Sequence, residues 1–173
     1  NPAGVVSQVV GVSDEELIIK HTRVLLRLGC KQAMVVHGHE GMDEISVSGV
    51  TKVAWIKERE ISLFELHPSR VGIKPVKPDL IMSESVEKSV EVAVKVLSNC
   101  YPDDDPRKLV AVVNAAAGLL VAGLSDKFDE AVDLAKESIE SGRALKRLEG
   151  LVKISEGDHE RYERVVERYA EYA

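Results

Sequence analysis

SQVVGVSDEELIIKHTRVLLRLGCKQAMVVH, residues 7–37, decides the architecture. Ser7–Val12 alternates and is rich in β-branched residues, which predicts a strand. Ser13 stands three residues ahead of Glu16, a capping-box spacing that satisfies two free amide donors at a helix start. Leu17, Ile18, His21, Val24, Leu25 and Leu28 then recur at helical spacing, and Gly29 is placed to end the helix. Ala33–His37 is a short apolar run of the kind buried on both faces of a parallel sheet. Strand, helix and strand within about thirty residues make a βαβ unit, whose crossover is expected to be right-handed.

Outward from this unit, KVAWIKE and REISLFEL read as two more strands meeting at Glu58–Glu60 in a hairpin. Pro68–Pro78, with three prolines and a glycine, reads as an irregular connection. Beyond it the pattern turns helical. Val86, Val90, Ala93, Val94 and Leu97 form one stripe that begins near Ser83 or Ser85. Asp105 and Pro106 suit the cap and first turn of a second helix. That helix is apolar nearly all round, which predicts burial, and Asn114 is its one strongly polar interior residue. An unpaired buried amide costs about 1–3 kcal/mol, so Asn114 is expected to bond a neighbouring backbone or loop. Ser125 reads as the cap of a further helix with Phe128, Ala131, Val132, Ala135 and Ile139 inward and Gly142 after its end. Another helix is expected over Arg143–Lys153. The tail is expected to form a charged helix with a thin stripe of Tyr162, Val165, Val166 and Tyr169.

The 173 residues, 45% hydrophobic and 30% charged, support one α/β or α-helical core but not two independent domains. Residues 1–155 read as one α/β unit, and 156–173 as an extra charged helix. A net charge of −6 and a pI near 5.4 argue against a nucleic-acid or membrane surface. No apolar run is long enough for a membrane span. Cys30 and Cys100 fit no metal or redox spacing, so a reducing, cytoplasmic setting is expected. Abundant Val, Glu and Lys with scarce Asn and Gln point toward a heat-adapted source. The opening Asn1-Pro2-Ala3-Gly4 lacks an initiator methionine, so a fragment or a processed chain is expected.

The stretch AMVVHGHEGMDEIS (33–46) holds the candidate chemistry. Ligands of open α/β sheets bind beyond the carboxyl ends of parallel strands, where the loop after Ala33–His37 begins. Asp43 and Glu44 offer two hard oxygen donors there, which suits Mg²⁺ completed by water and substrate phosphate. Gly38 and Gly41 would let the backbone approach a bulky anion. The opposing possibility is a solvated acid pair beside a turn. His37 and His39 lack the further ligands a closed zinc site needs, so His37 reads as a strand-end histidine with one satisfied nitrogen. No P-loop, no G-x-G-x-x-G and no nucleophile elbow occurs.

Three stretches together carry a family resemblance. NPAGVVSQVVGVSDEEL, LGCKQAMVVHGHEGMDEIS and VNAAAGLLVAGLSDKFDEAVDLAKESIESGRALKRLEGL resemble, in that order, the carboxyl-terminal half of anthranilate phosphoribosyltransferases, over about residues 1–152. The resemblance implies α/β architecture: part of the large α/β domain of the nucleoside phosphorylase/phosphoribosyltransferase fold, with parallel strands plus a hairpin followed by a helical run. It implies a glycosyltransferase of tryptophan biosynthesis, joining anthranilate to 5-phosphoribosyl 1-pyrophosphate with release of pyrophosphate. Asp43 and Glu44 match the family's adjacent acid pair, which binds the Mg²⁺ accompanying the phosphoribosyl donor.

The family's glycine-rich pyrophosphate loop, its K-H-G-N element and its anthranilate-contacting arginine lie upstream of the N-P-A-G segment, so no residue here is assigned to the bond-making step. The chain alone is expected to be inactive and to need the missing amino-terminal half, in cis or in trans, or self-association as a homo-oligomer. A bare strand edge is the physical reason. Two alternatives remain: a pyrimidine nucleoside phosphorylase-like enzyme, which shares the two-domain plan, and a non-catalytic binding or scaffold half-chain that uses the tail helix.

Overall fold

β1 (Ser7–Gly11) and β2 (Gln32–Gly38) run parallel, joined by α1 (Glu16–Arg27). β3 (Thr51–Lys57) lies antiparallel to β2, and β4 (Glu60–Leu66) antiparallel to β3, giving a mixed sheet of order β1-β2-β3-β4. The computed structural model describes residues 3–82 and 85–170. Two short 3-10 turns, Pro68–Val71 and Pro78–Leu80, span the proline-rich connection. Five helices follow: α2 (Val86–Leu97), α3 (Pro106–Val121), α4 (Phe128–Glu140), α5 (Arg143–Ile154) and α6 (His159–Ala170). None of the described helices is long and apolar enough to cross a membrane.

The parity of β2 divides the core in two. Ala33 and Val35 face α1, joining Ile18 and Leu25. Met34 and Val36 face the other way, toward Val112, Val113, Ala116 and Leu120 of α3. All four of these β2 side chains are essentially inaccessible, as expected for a strand covered on both faces. The hairpin turns on Glu58 and Arg59, both left-handed (φ 53° and 69°), the geometry of a two-residue turn usually built with Asn or Gly.

Helix boundaries follow the sequence pattern more closely than helix caps do. Ser13 does not cap α1; the Asp14 carboxylate accepts the Glu16 N–H instead (2.9 Å). Ser125 stands ahead of α4, whose cap position is Lys127, and it makes no bond into the helix backbone beyond that residue. Ser85 does cap α2, accepting the Lys88 N–H (3.1 Å); Ser83 lies outside the described residues. Gly29 ends α1 at φ 85°, and Cys30 N–H reaches back to the Leu25 carbonyl.

Two apolar stripes are divided differently from their periodicity. In α1 the core face is Ile18, Thr22 and Leu25, whereas Val24 and Leu28 are 53% and 71% exposed. Leu17, His21, Val24 and Leu28 occupy the flank opposite Glu15, which pairs with Lys52 of β3, so this flank is turned away from the β3 side. In α2 the buried residues are Val94 and Val96, and Val86 is exposed. The helix is shared between α3 and α6, so two narrow contacts replace one broad stripe. The tail agrees with its pattern: Tyr162, Val165, Val166 and Tyr169 are half-buried, and α6 packs across α2.

Lys108 is nearly inaccessible and ties the α2–α3 connection together. Its ammonium donates to Asn99 Oδ1 (2.7 Å) and pairs with Asp103 (2.5 Å). Asp105 caps α3 by accepting the Arg107 N–H (2.9 Å), and its carboxylate also takes the Arg107 guanidinium (2.9 and 2.6 Å).

β1 ends beneath the loop that follows β2. A Cβ added at Gly11 would lie 1.5 Å from the Asp43 carbonyl oxygen and 2.3 Å from its carbon. Only glycine admits this approach, because the obstacle is backbone and not a movable side chain.

Gly11→Ala should therefore lower the unfolding free energy by about 3 kcal/mol. Gly118→Ala, where the added Cβ meets nothing within 4 Å, should be neutral or stabilise by about 0.5–1 kcal/mol. Urea denaturation of both variants checks the contrast. A second expectation concerns acid. The hydrogen bonds from Arg107 hold the Asp105 carboxyl below its ordinary 3.8. A depressed carboxylate contributes stability above its unfolded value and loses it as pH falls through the folded one. Unfolding free energy should thus drop below about pH 4, and Asp105→Asn, which keeps a capping oxygen but cannot titrate, should flatten that limb.

Candidate functional site

Residues 38–51 leave β2 and return to β3 through a loop that bonds mainly to itself. Gly41 N–H donates to the Gly38 carbonyl (2.9 Å), Gly38 N–H to the Met42 carbonyl (2.8 Å), and His39 N–H to the Val50 carbonyl (2.9 Å). Ser46 is the hub of the second half. Its hydroxyl donates to Glu40 Oε1 (3.0 Å) and accepts N–H bonds from Ser48 (2.9 Å) and Gly49 (3.0 Å). Its own N–H donates to Thr51 Oγ1 (2.8 Å), and both Ser46 and Thr51 are buried. Glu40 Oε2 is buried with no hydrogen-bond partner among the described residues.

Asp43 and Glu44 stand at the tip, both exposed, with Ile45 behind them almost fully buried. Their backbone is gripped from two sides. The Asp43 carbonyl rests on Gly11 at the end of β1. The Ile45 N–H donates to Asn114 Oδ1 (2.8 Å), and Asn114 Nδ2 donates to the Ile45 carbonyl (3.0 Å) and to the Val110 carbonyl (2.9 Å). The acid pair is thus mounted on fixed backbone at the carboxyl ends of the two parallel strands. Partial desolvation, and then the charge of Asp43, raise the Glu44 carboxyl above its ordinary 4.5. A cation beside the pair would relieve that repulsion.

The two loop glycines have different surroundings. A Cβ on Gly38 would meet the Glu44 carbonyl at 3.1 Å and the Met42 and Ser46 Cβ atoms at 3.2 Å, so the loop itself uses that space. Gly41, at φ 82°, has nothing within 4 Å of its added Cβ and is open to solvent. His37 is a satisfied strand-end histidine, its Nδ1 bonded to the Val12 carbonyl (2.8 Å), while His39 is exposed. Among the described residues no three His, Cys, Asp or Glu side chains group closely enough to hold a metal by themselves.

Gly11, Glu40, Ser46 and Thr51 were not singled out by sequence. Gly11 carried a usable signal, since an isolated glycine in a valine-rich strand marks close backbone approach. Asn114 was expected to bond a neighbouring backbone or loop, but nothing local to α3 says that its partner is the loop bearing the acids.

The family described as glycosyl transferase family, a/b domain, matches residues 1–145. The anthranilate phosphoribosyltransferase of Petrotoga mobilis is 37% identical over 155 residues, covering 90% of this chain and 44% of that protein. A structure of the anthranilate phosphoribosyltransferase of Saccharomyces cerevisiae in complex with PRPP and Mg is similar at a TM-score of 0.75 and 28% identity, covering 84% of this chain and 42% of that one. The anthranilate phosphoribosyltransferase of Thermus thermophilus gives a TM-score of 0.75 at 27% identity, covering 99% of this chain and 44% of that one. The last match runs into α6, and the chain spans less than half the length of each of these three relatives. With the match extending over most of its residues, the chain belongs to the glycosyl transferase family, a/b domain.

Proposed function

We propose that the chain is the metal-holding portion of an anthranilate phosphoribosyltransferase, which transfers phosphoribosyl from 5-phosphoribosyl 1-pyrophosphate to anthranilate in tryptophan biosynthesis and requires Mg²⁺. An exposed pair of carboxylates on immobilised backbone is the observation that carries it. The similarity to an anthranilate phosphoribosyltransferase structure in complex with PRPP and Mg supports it.

The donor set fits the ion. Asp43 and Glu44 supply hard, anionic oxygens, and Mg²⁺ commonly takes one or two carboxylates with water and substrate phosphate completing its shell. When bound, the ion would offset charge that builds on the pyrophosphate oxygens as the glycosidic bond breaks. The residues of this chain act by position. Asp43 and Glu44 hold ligand oxygens and take no proton from anthranilate. Gly38 shapes the loop that carries them, and Gly41 leaves backbone accessible to the donor.

The remaining contacts to PRPP and anthranilate would come from the part of the enzyme that this chain does not span. Among the described residues β1 pairs on one side only, and α1 leaves Val24 and Leu28 exposed. An unpaired edge and exposed apolar side chains suit docking of the remainder, in the same polypeptide or in another, within a homo-oligomeric enzyme. A cytoplasmic setting fits the same picture, because Cys30 and Cys100 are both free.

The test follows the fluorescence of anthranilate as it is consumed with phosphoribosyl pyrophosphate and Mg²⁺. The chain alone should show no turnover, and adding the remainder of the enzyme should restore it. Asp43→Asn with Glu44→Gln should then lower kcat by about 10²-fold or more. Wild-type turnover by that double variant would remove the metal assignment.

A further inference from the structure

Resting on the metal assignment above, we infer that Asn114 is a positioning residue for the acid pair: its amide fixes the backbone of Ile45 and so sets where Asp43 and Glu44 present their oxygens. Asn114 lies in α3, 69 positions from Ile45, and meets both polar groups of that one residue. Its Oδ1 takes the Ile45 N–H at 2.8 Å, and its Nδ2 gives one hydrogen to the Ile45 carbonyl at 3.0 Å and the other to the Val110 carbonyl at 2.9 Å. Both amide protons are used, so the side chain can neither flip nor swing without losing a bond. The Val110 bond anchors the amide to its own helix, which makes α3 the reference against which the loop is held.

The contact falls directly after Glu44. On the other side the Asp43 carbonyl is stopped by Gly11. The two acids therefore lie between a steric stop and a bidentate clamp. The bonds that shape the loop run through Ser46, Glu40, Thr51 and the main chain, not through the acid side chains, so the acids are placed by their backbone. No single replacement reproduces the clamp: aspartate cannot donate to the Ile45 carbonyl, leucine leaves both Ile45 groups unpaired, and glutamine places its amide one methylene further out.

A purely structural Asn114 would satisfy the half-buried contact between α3 and the loop and affect stability alone. A positioning Asn114 is coupled to the acids it places. Outer partners that orient metal ligands typically change metal affinity by about 10–100-fold. The experiment uses Mn²⁺ as probe, read by the electron paramagnetic resonance signal of the free ion, with phosphoribosyl pyrophosphate present in the complete enzyme assembled for the activity assay. Asn114→Ala should weaken Mn²⁺ binding about tenfold in the wild-type background. In a Glu44→Gln background the same change should weaken it clearly less than in the wild type, because the carboxylate next to the clamp is gone while the Asp43 backbone is still stopped by Gly11. Asn114→Ser, which keeps a small donor and acceptor, serves if the alanine variant does not fold, and the same non-additivity is expected. Wild-type Mn²⁺ affinity in a destabilised Asn114 variant would overturn the inference and leave the metal assignment standing; so would an equal loss in both backgrounds. Unchanged Mn²⁺ binding after Asp43→Asn with Glu44→Gln would overturn both.

Discussion

Asn114 sits in a helix that is apolar on nearly every side, and its amide reaches Ile45 across 69 positions of chain. Asn114 is half-buried, and because an amide buried without partners costs about 1–3 kcal/mol, α3 favours this residue where a backbone N–H and C=O are brought to it. The loop after β2 supplies both. The same contact that satisfies the helix therefore fixes the loop that carries the acid pair. Gly11 completes the constraint from below. The missing side chain at the end of β1 lets the Asp43 carbonyl settle onto the sheet, where any Cβ would displace it.

The molecule is built unevenly around this point. β2 is sealed by α1 on one face and α3 on the other, and its central side chains, Ala33 to Val36, are almost wholly inaccessible. The loop it feeds is knotted by Ser46, Thr51 and Glu40, so rigidity extends from the core to within one residue of the acids. The acids themselves remain exposed. Preorganised backbone beneath solvent-facing carboxylates is what a site needs when its ligand arrives with its own phosphate oxygens. One edge of the sheet is unfinished: among the described residues β1 pairs only with β2, and α1 leaves Val24 and Leu28 exposed.

Much of this was legible in the sequence because it depends on local pattern. The apolar run of β2, the Asp105-Pro106 start of α3, the hairpin and the half-buried stripe of α6 all stand where periodicity and cap chemistry put them. The placement of the acid pair on the loop that leaves β2 was legible as well. What the pattern could not separate was one apolar surface from another. Val24 and Leu28 share the helical period of Leu25, yet they face away from the described core, because a stripe facing the sheet and a stripe facing outward have the same spacing. Ser13 lost the α1 cap to Asp14, one position along, since both residues are good acceptors. The Asn114–Ile45 clamp and the Gly11–Asp43 approach were hidden for a different reason. Each joins residues far apart in sequence, and only the packing of β1, β2 and α3 brings them together.

Hydrogen exchange at a single amide probes this arrangement most directly. If the Asn114 clamp holds the loop in solution, the Ile45 N–H should be protected to an extent comparable with Val35 and Val36 at the centre of β2, because releasing it requires opening the α3–loop contact. Exchange at Ile45 as fast as an unstructured amide, while Val35 and Val36 stay protected, would contradict the account: the acids would then stand on a mobile loop, not on a fixed mount.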